Sequence, residues 1–90
     1  MEYRRYEILA DKLKALAHPA RICIVKGLSE SEKGVSEMCA CMKAPQPTIS
    51  LHLSRLKSAG IVHSERRGNS VVYRVKDEKL AALVSALLEQ

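Results

Sequence analysis

The residues best able to do chemistry fall into two basic stretches and a set of thiols. Gln46, Thr48 and Ser50 offer short hydrogen-bonding groups, and Arg55 and Lys57 add positive charge a turn or two further on. Arg66, Arg67 and Asn69 form a second polar and cationic group around Gly68. Hydroxyls, an amide and guanidinium groups at this spacing suit the edges and phosphates of duplex DNA. Cys39 and Cys41 are separated by one residue, and Cys23 lies upstream. Thiolates are soft ligands, fitted to As(III), Cd(II), Pb(II), Zn(II) or Cu(I).

Each of these residues also has a plainer reading. Leu51 falls on the outward side of the predicted helix, where it either meets a thymine methyl or is a singly exposed leucine. His52 flanks the apolar stripe, as a base reader or as a half-buried residue bonded locally. Arg66, Arg67 and Asn69 reach phosphates or a minor groove, or they are a solvated turn whose Gly68-Asn69 supplies the backbone angles. Cys23 sits in an apolar run and reads as a small core residue, with a third-ligand or disulfide role as the alternative. The Cys39–Cys41 pair reads as a metal or metalloid ligand set, as a redox or persulfide sensor, or as inert thiols. Residues two apart on a helix point roughly 200° apart, so gripping one ion needs unwinding or further ligands.

The elements that must position these groups follow from periodicity. Glu2–Ala17 carries Tyr6, Leu9, Leu13 and Leu16 on one stripe and predicts an amphipathic helix. Pro19 opens a second helix reaching about Leu28, apolar almost all round through Ile22-Cys23-Ile24-Val25 and therefore expected to be central. Ser29–Gly34 reads as a turn. Ser36 is the expected N-cap of a short helix, Glu37 to about Lys43, with Met38 and Met42 inward and Cys39 in its first turn. Lys43–Gln46 turns into a helix with Pro47 in its first turn, Ile49, Leu53 and Leu56 inward, and Gly60 as its stop. The period then becomes alternating: Ile61–Arg66 and Ser70–Lys76 predict a hairpin joined by Arg67-Gly68-Asn69. Asp77 or Glu78 opens a last helix striped by Leu80, Leu83, Val84, Leu87 and Leu88. Four helices, a basic hairpin and a final helix predict a mainly α winged helix-turn-helix, a single domain over residues 1–90. The first and last helices hold more apolar surface than a small core uses, which predicts a homodimer through them.

Composition narrows the function classes. Ninety residues suffice for one small domain. The net charge of +5 favours a polyanionic partner. Phe and Trp are absent and only three Tyr are present, which argues against single-strand binding by base stacking. Three cysteines at uneven spacing are not a secreted disulfide framework. No apolar run approaches a membrane span and no signal peptide opens the chain, so a cytosolic protein with no membrane partner is expected. An enzyme is disfavoured: His18, His52 and His63 are scattered, and no glycine-rich phosphate loop is present. The cysteine spacing is not that of a thioredoxin motif, and a zinc finger lacks its second ligand pair.

Four stretches then resemble one family. Leu16-Ala17-His18-Pro19-Ala20-Arg21 resembles the entry to the second helix of the ArsR/SmtB repressors, which respond to metals and metalloids. Ser36-Glu37-Met38-Cys39-Ala40-Cys41 resembles their cysteine box. Gln46-Pro47-Thr48-Ile49-Ser50-Leu51-His52-Leu53 resembles their recognition helix, and Arg67-Gly68-Asn69-Ser70-Val71-Val72-Tyr73 their wing. The resemblance implies a homodimer on a near-palindromic double-stranded operator, released by a soft ligand or by thiol chemistry at Cys39 and Cys41. It also exposes departures. Ala44 stands where arsenic-type members carry a third cysteine, Met1–Lys12 lacks the cysteines of cadmium- and lead-type members, and Lys79 and Gln90 replace expected imidazoles. A redox-sensing repressor of the same fold and a winged helix that binds protein are the alternative readings.

Overall fold

The computed structural model describes residues 2–89; Met1 and Gln90, and with Gln90 one of the missing-imidazole positions, lie outside it. Five helices and three strands follow one another as α1 (Tyr3–Leu16), α2 (Pro19–Glu30), β1 (Lys33–Gly34), α3 (Val35–Met42), α4 (Gln46–Ser58), β2 (Val62–Arg67), β3 (Ser70–Val75) and α5 (Glu78–Leu88). The strands form one antiparallel sheet in the order β1-β3-β2. This is the winged helix-turn-helix that the pattern predicts.

One apolar cluster joins the elements. Ile24, Val25 and Leu28 of α2, Met38 of α3, Ile49, Leu53 and Leu56 of α4, Ile61 and Val62 at the hairpin base, and Leu80, Ala81 and Val84 of α5 are buried together. Ile49, His52, Leu53 and Leu56 follow the spacing that lines one side of a helix. Their burial fixes which face of α4 is left outside.

The hairpin is set by its register, with Val62 opposite Val75 and Arg67 opposite Ser70. Gly68 has φ +62° and is the only positive-φ residue of the two-residue loop. That is the pattern of a type II′ turn, whose twist suits the strands.

Three expectations are corrected. Lys33 and Gly34 are extended, paired with Tyr73 and Val72, rather than a turn. α3 consequently starts at Val35 with Gly34 as its N-cap, and the Glu37 carboxylate accepts the Gly34 N–H at 3.2 Å. Ser36 is thus inside the helix, and Cys39 lies in its second turn, away from the helix start. Cys23 is exposed and not in the core. The reason is rotational: Ile24, Val25 and Leu28 define the buried face of α2, and Cys23 sits roughly 145° from its centre.

Candidate nucleic-acid interface

Burying one side of α4 leaves Gln46, Thr48, Ser50, Leu51, Ser54, Arg55 and Ser58 exposed on the other. Leu51 is 53% exposed. Pro45 precedes the helix in an extended conformation and its carbonyl accepts the N–H groups of Thr48 and Ile49. Arg55 makes no ion pair among the described residues, so its guanidinium faces solvent uncompensated.

Beside Arg55 lies a hollow of about 610 Å³, lined by Lys14 and Ala15 of α1, Arg21 of α2, and Leu51, Ser54, Arg55, Ser58 and Ala59. Three cations and two hydroxyls face it and no carboxylate does. Lys14, Arg21 and Ser54 were not singled out from sequence. No local signal links α1 to α4; only packing brings Lys14 and Arg21 beside Arg55.

His52 is a further correction. It is 7% exposed and therefore withdrawn from any base edge. Its Nδ1 accepts the Nε–H of Arg21 at 3.1 Å, and Arg21 also donates through Nη1 to the Ala15 carbonyl at 3.0 Å. The His18 ring lies 4.6 Å away, centre to centre. Burial, and then the neighbouring His18, Arg21 and Arg55, hold the His52 pKa below its ordinary value. The neutral ring is the form that can accept from Arg21. His52 therefore ties the back of α4 to α2, and through Arg21 to the end of α1.

At the hairpin tip the two arginines differ. Arg66 is exposed and makes no ion pair among the described residues. Arg67 donates through Nη1 to Glu32 and through Nε to Glu65 at 3.1 Å. Those bonds raise the Arg67 pKa, and the bond to Arg67 lowers that of Glu65. Lys57 is likewise occupied, donating to Ser64 Oγ at 2.8 Å. Asn69 is exposed in the loop.

The thiols separate. Cys39 of α3 is partly buried against the core, whereas Cys41 is exposed. Cys41 and Cys23 line the same cavity, together with Met38 and Met42. Among the described residues no group of three or more His, Cys, Asp or Glu side chains is placed to hold a metal. No helix among them is long and apolar enough to cross a membrane.

Fold and exposed basic face together define a winged-helix protein of the helix-turn-helix class. Residues 18–64 match the family model described as bacterial regulatory protein, arsR family. The HTH-type transcriptional repressor SmtB of Mycobacterium tuberculosis is 49% identical over 74 residues, covering 82% of this chain and 55% of its own length. The biofilm growth-associated repressor of Agrobacterium fabrum is 41% identical over 87 residues, covering 97% and 74%. Among solved structures, the homodimeric winged helix-turn-helix DNA-binding domain of a possible ArsR-family regulator from Mycobacterium bovis aligns with TM-score 0.86 at 28% identity, covering 97% of this chain and 82% of that one. The chain belongs to the arsR family of bacterial regulatory proteins. It spans about half the length of the SmtB relative.

Proposed function

We infer that the chain is a homodimeric, sequence-specific repressor that binds double-stranded operator DNA and is released when its thiols take up a soft ligand. The observation that carries the DNA half is the carboxylate-free hollow in which Lys14 and Arg21 meet Leu51, Ser54 and Arg55, continuous with the exposed Thr48 and Ser50 of α4. In this reading α4 enters the major groove. Its hydroxyls and Gln46 meet base edges, Leu51 meets a thymine methyl, and Arg55, Lys14 and Arg21 lie along the phosphates. Arg66 leads the wing's phosphate contact, with Lys57, Arg67 and Asn69 at its side and His52 supporting α4 from behind.

Homodimerisation draws support from the apolar side chains left outside. Tyr3, Tyr6, Ile8, Leu9 and Leu13 of α1 and Leu83, Leu87 and Leu88 of α5 are each more than 40% exposed. Two helices carrying such stripes are the material of a twofold interface, and a twofold pair presents its reading helices to two half-sites about 34–36 Å apart.

The sensor half rests on the cysteine-bearing α3, which leads through Lys43–Pro45 into α4. A soft metal or metalloid such as As(III), Cd(II), Pb(II) or Zn(II), held at Cys39 and Cys41 with Cys23 as a further ligand, would bias α3 and with it α4. A differential affinity of a few kcal/mol between the two dimer geometries suffices to empty an operator.

Selection of bound duplexes from a random pool, followed by titration of the enriched sequence at several salt concentrations, tests the DNA half. The expected outcome is a two-half-site sequence bound with a steep loss of affinity as salt rises. Absence of any enriched duplex, or salt-independent binding, overturns it.

A further inference from the structure

Cys23 of α2 and Cys41 of α3 are both exposed, yet they line one cavity of about 180 Å³. Met38 and Met42 line it too, with Ile24, Gly27, Glu30 and Lys33 completing the wall. Among the described residues, Cys39 is therefore the only sulfur-bearing side chain that does not line this cavity. Nothing in the spacing of Cys39 and Cys41 signals this pairing, because it is made between two helices rather than along one.

We propose that Cys23 and Cys41, with the Met42 thioether beside them, form a binding site for a soft monovalent cation, Cu(I). The donor set decides the ion. Thiolates with thioethers select Cu(I), whereas a structural zinc site asks for four nitrogen, oxygen or sulfur ligands in a tetrahedron. The cavity holds no histidine and Glu30 is its only carboxylate. A metalloid that requires a full set of thiolates finds only two there.

Charge and position agree with this choice. Two thiolates and one Cu(I) leave a single negative charge, and Lys33 lines the same cavity. Its ammonium is held there by the Gly27 carbonyl at 2.9 Å and by Ser31 Oγ at 2.9 Å. Cu(I) joining Cys23 to Cys41 would clamp α3 to α2 and restrain the turn into α4. That regulatory consequence rests on the repressor reading above; the uptake of the ion does not.

The test is an anaerobic titration of the reduced full chain with Cu(I) supplied as its bicinchoninate complex, read by the loss of the complex's colour. The native chain should take up one Cu(I) per chain. Cys23→Ser and Cys41→Ser should each weaken uptake beyond the roughly 10–100-fold that losing an outer-shell partner costs. Met42→Leu, which keeps the volume and removes the thioether, should weaken it by a smaller factor. Equal losses in Cys39→Ser and Cys41→Ser, with Cys23→Ser unaffected, would move the site onto α3 alone and overturn the proposal. So would absence of uptake by the native chain. Copper K-edge absorption on the native protein gives a check free of any variant: a sulfur-only shell of low coordination number is expected, and a nitrogen or oxygen shell refutes it. Failure to bind duplex DNA would leave these outcomes untouched, so the two readings fall separately.

Discussion

A guanidinium contributes to DNA binding according to what already neutralises it. Arg55 and Arg66 have no carboxylate partner among the described residues, whereas Arg67 lies between Glu32 and Glu65. Arg55→Ala and Arg66→Ala should each lower affinity for the selected duplex and reduce the salt slope by about one. Arg67→Ala should do less, and Glu65→Gln should raise affinity by removing a negative charge and leaving Arg67 only its Glu32 partner. Fluorescence anisotropy across a salt series measures all four; an Arg67→Ala slope as shallow as that of Arg66→Ala would contradict the argument. His52 supplies a prediction of another kind. Its pKa is held down in the fold, so the unfolded chain binds the proton more readily. Stability is then complete above the ordinary histidine value near pH 6.5 and is lost as pH falls from there through the lowered folded value. His52→Gln, which still offers Arg21 an acceptor but cannot titrate, should flatten that part of the stability–pH curve, measured by urea unfolding at half-unit steps. A slope that persists unchanged would assign the effect to other groups.

Elements show what sequence can and cannot convey. α4 was legible because one stripe of aliphatics every third or fourth residue determines its buried side, and its exposed side follows. The hairpin was legible from alternation and Gly68. β1 was not, because a two-residue strand has no period, and its pairing with Tyr73 and Val72 lies about forty residues away along the chain. Missing β1 also displaced the start of α3. Cys23 was misread because an unbroken run of apolar residues carries no phase. The bond of Arg67 to Glu32 was not legible because Glu32 is 35 residues distant, although its other partner, Glu65, lies two residues away on the same strand. Where the elements join, Asp77 is the residue to test. Its Oδ1 accepts the Leu80 N–H at 3.0 Å, capping α5, and its Oδ2 accepts from Lys12 Nζ at 2.6 Å, fastening α5 to α1. The bond to Lys12, aided by the Leu80 and Lys79 N–H groups, holds the Asp77 carboxyl below its ordinary value. Its stabilisation is present above about pH 3.8 and is lost as pH falls below that through the folded value. Asp77→Ala should cost about 1–2 kcal/mol, the cap supplying most of it. Asp77→Asn keeps a capping oxygen and loses the charge, so it should cost less. Chemical denaturation of the two variants separates cap from ion pair, and equal costs would show that the cap contributes nothing.

The whole molecule is short of core in a specific place. α1 contributes only Leu16 to the buried set, and its Tyr6, Leu9 and Leu13 stripe faces outward. Burying a leucine from water is worth about 1.5–3 kcal/mol, so an α1 that gains so little within its own chain needs a second surface. The arrangement locates that surface: Arg5, Ile8, Leu9 and Lys12 of α1 and Leu80 and Leu83 of α5 line one shared apolar hollow of about 270 Å³, with Asp77 and Lys79 at the start of α5. Across a twofold axis each residue faces the same patch of its partner, so a single substitution acts twice. Leu9→Asp or Leu87→Asp would bring unpaired carboxylates into an apolar contact, and buried unpaired charge is strongly unfavourable. Either should raise the dimer dissociation constant at least about a hundredfold, equivalent to roughly 2.7 kcal/mol, as read by sedimentation equilibrium. Helical content should be retained, since Leu9 is 50% and Leu87 67% exposed in the single chain. Affinity for the selected duplex should fall by about 10²–10⁴, because two linked half-site contacts become independent ones. A variant that stays dimeric would place the interface elsewhere. One that becomes monomeric yet keeps full affinity for the two-half-site duplex would show that a single copy of the α4 and wing surface suffices.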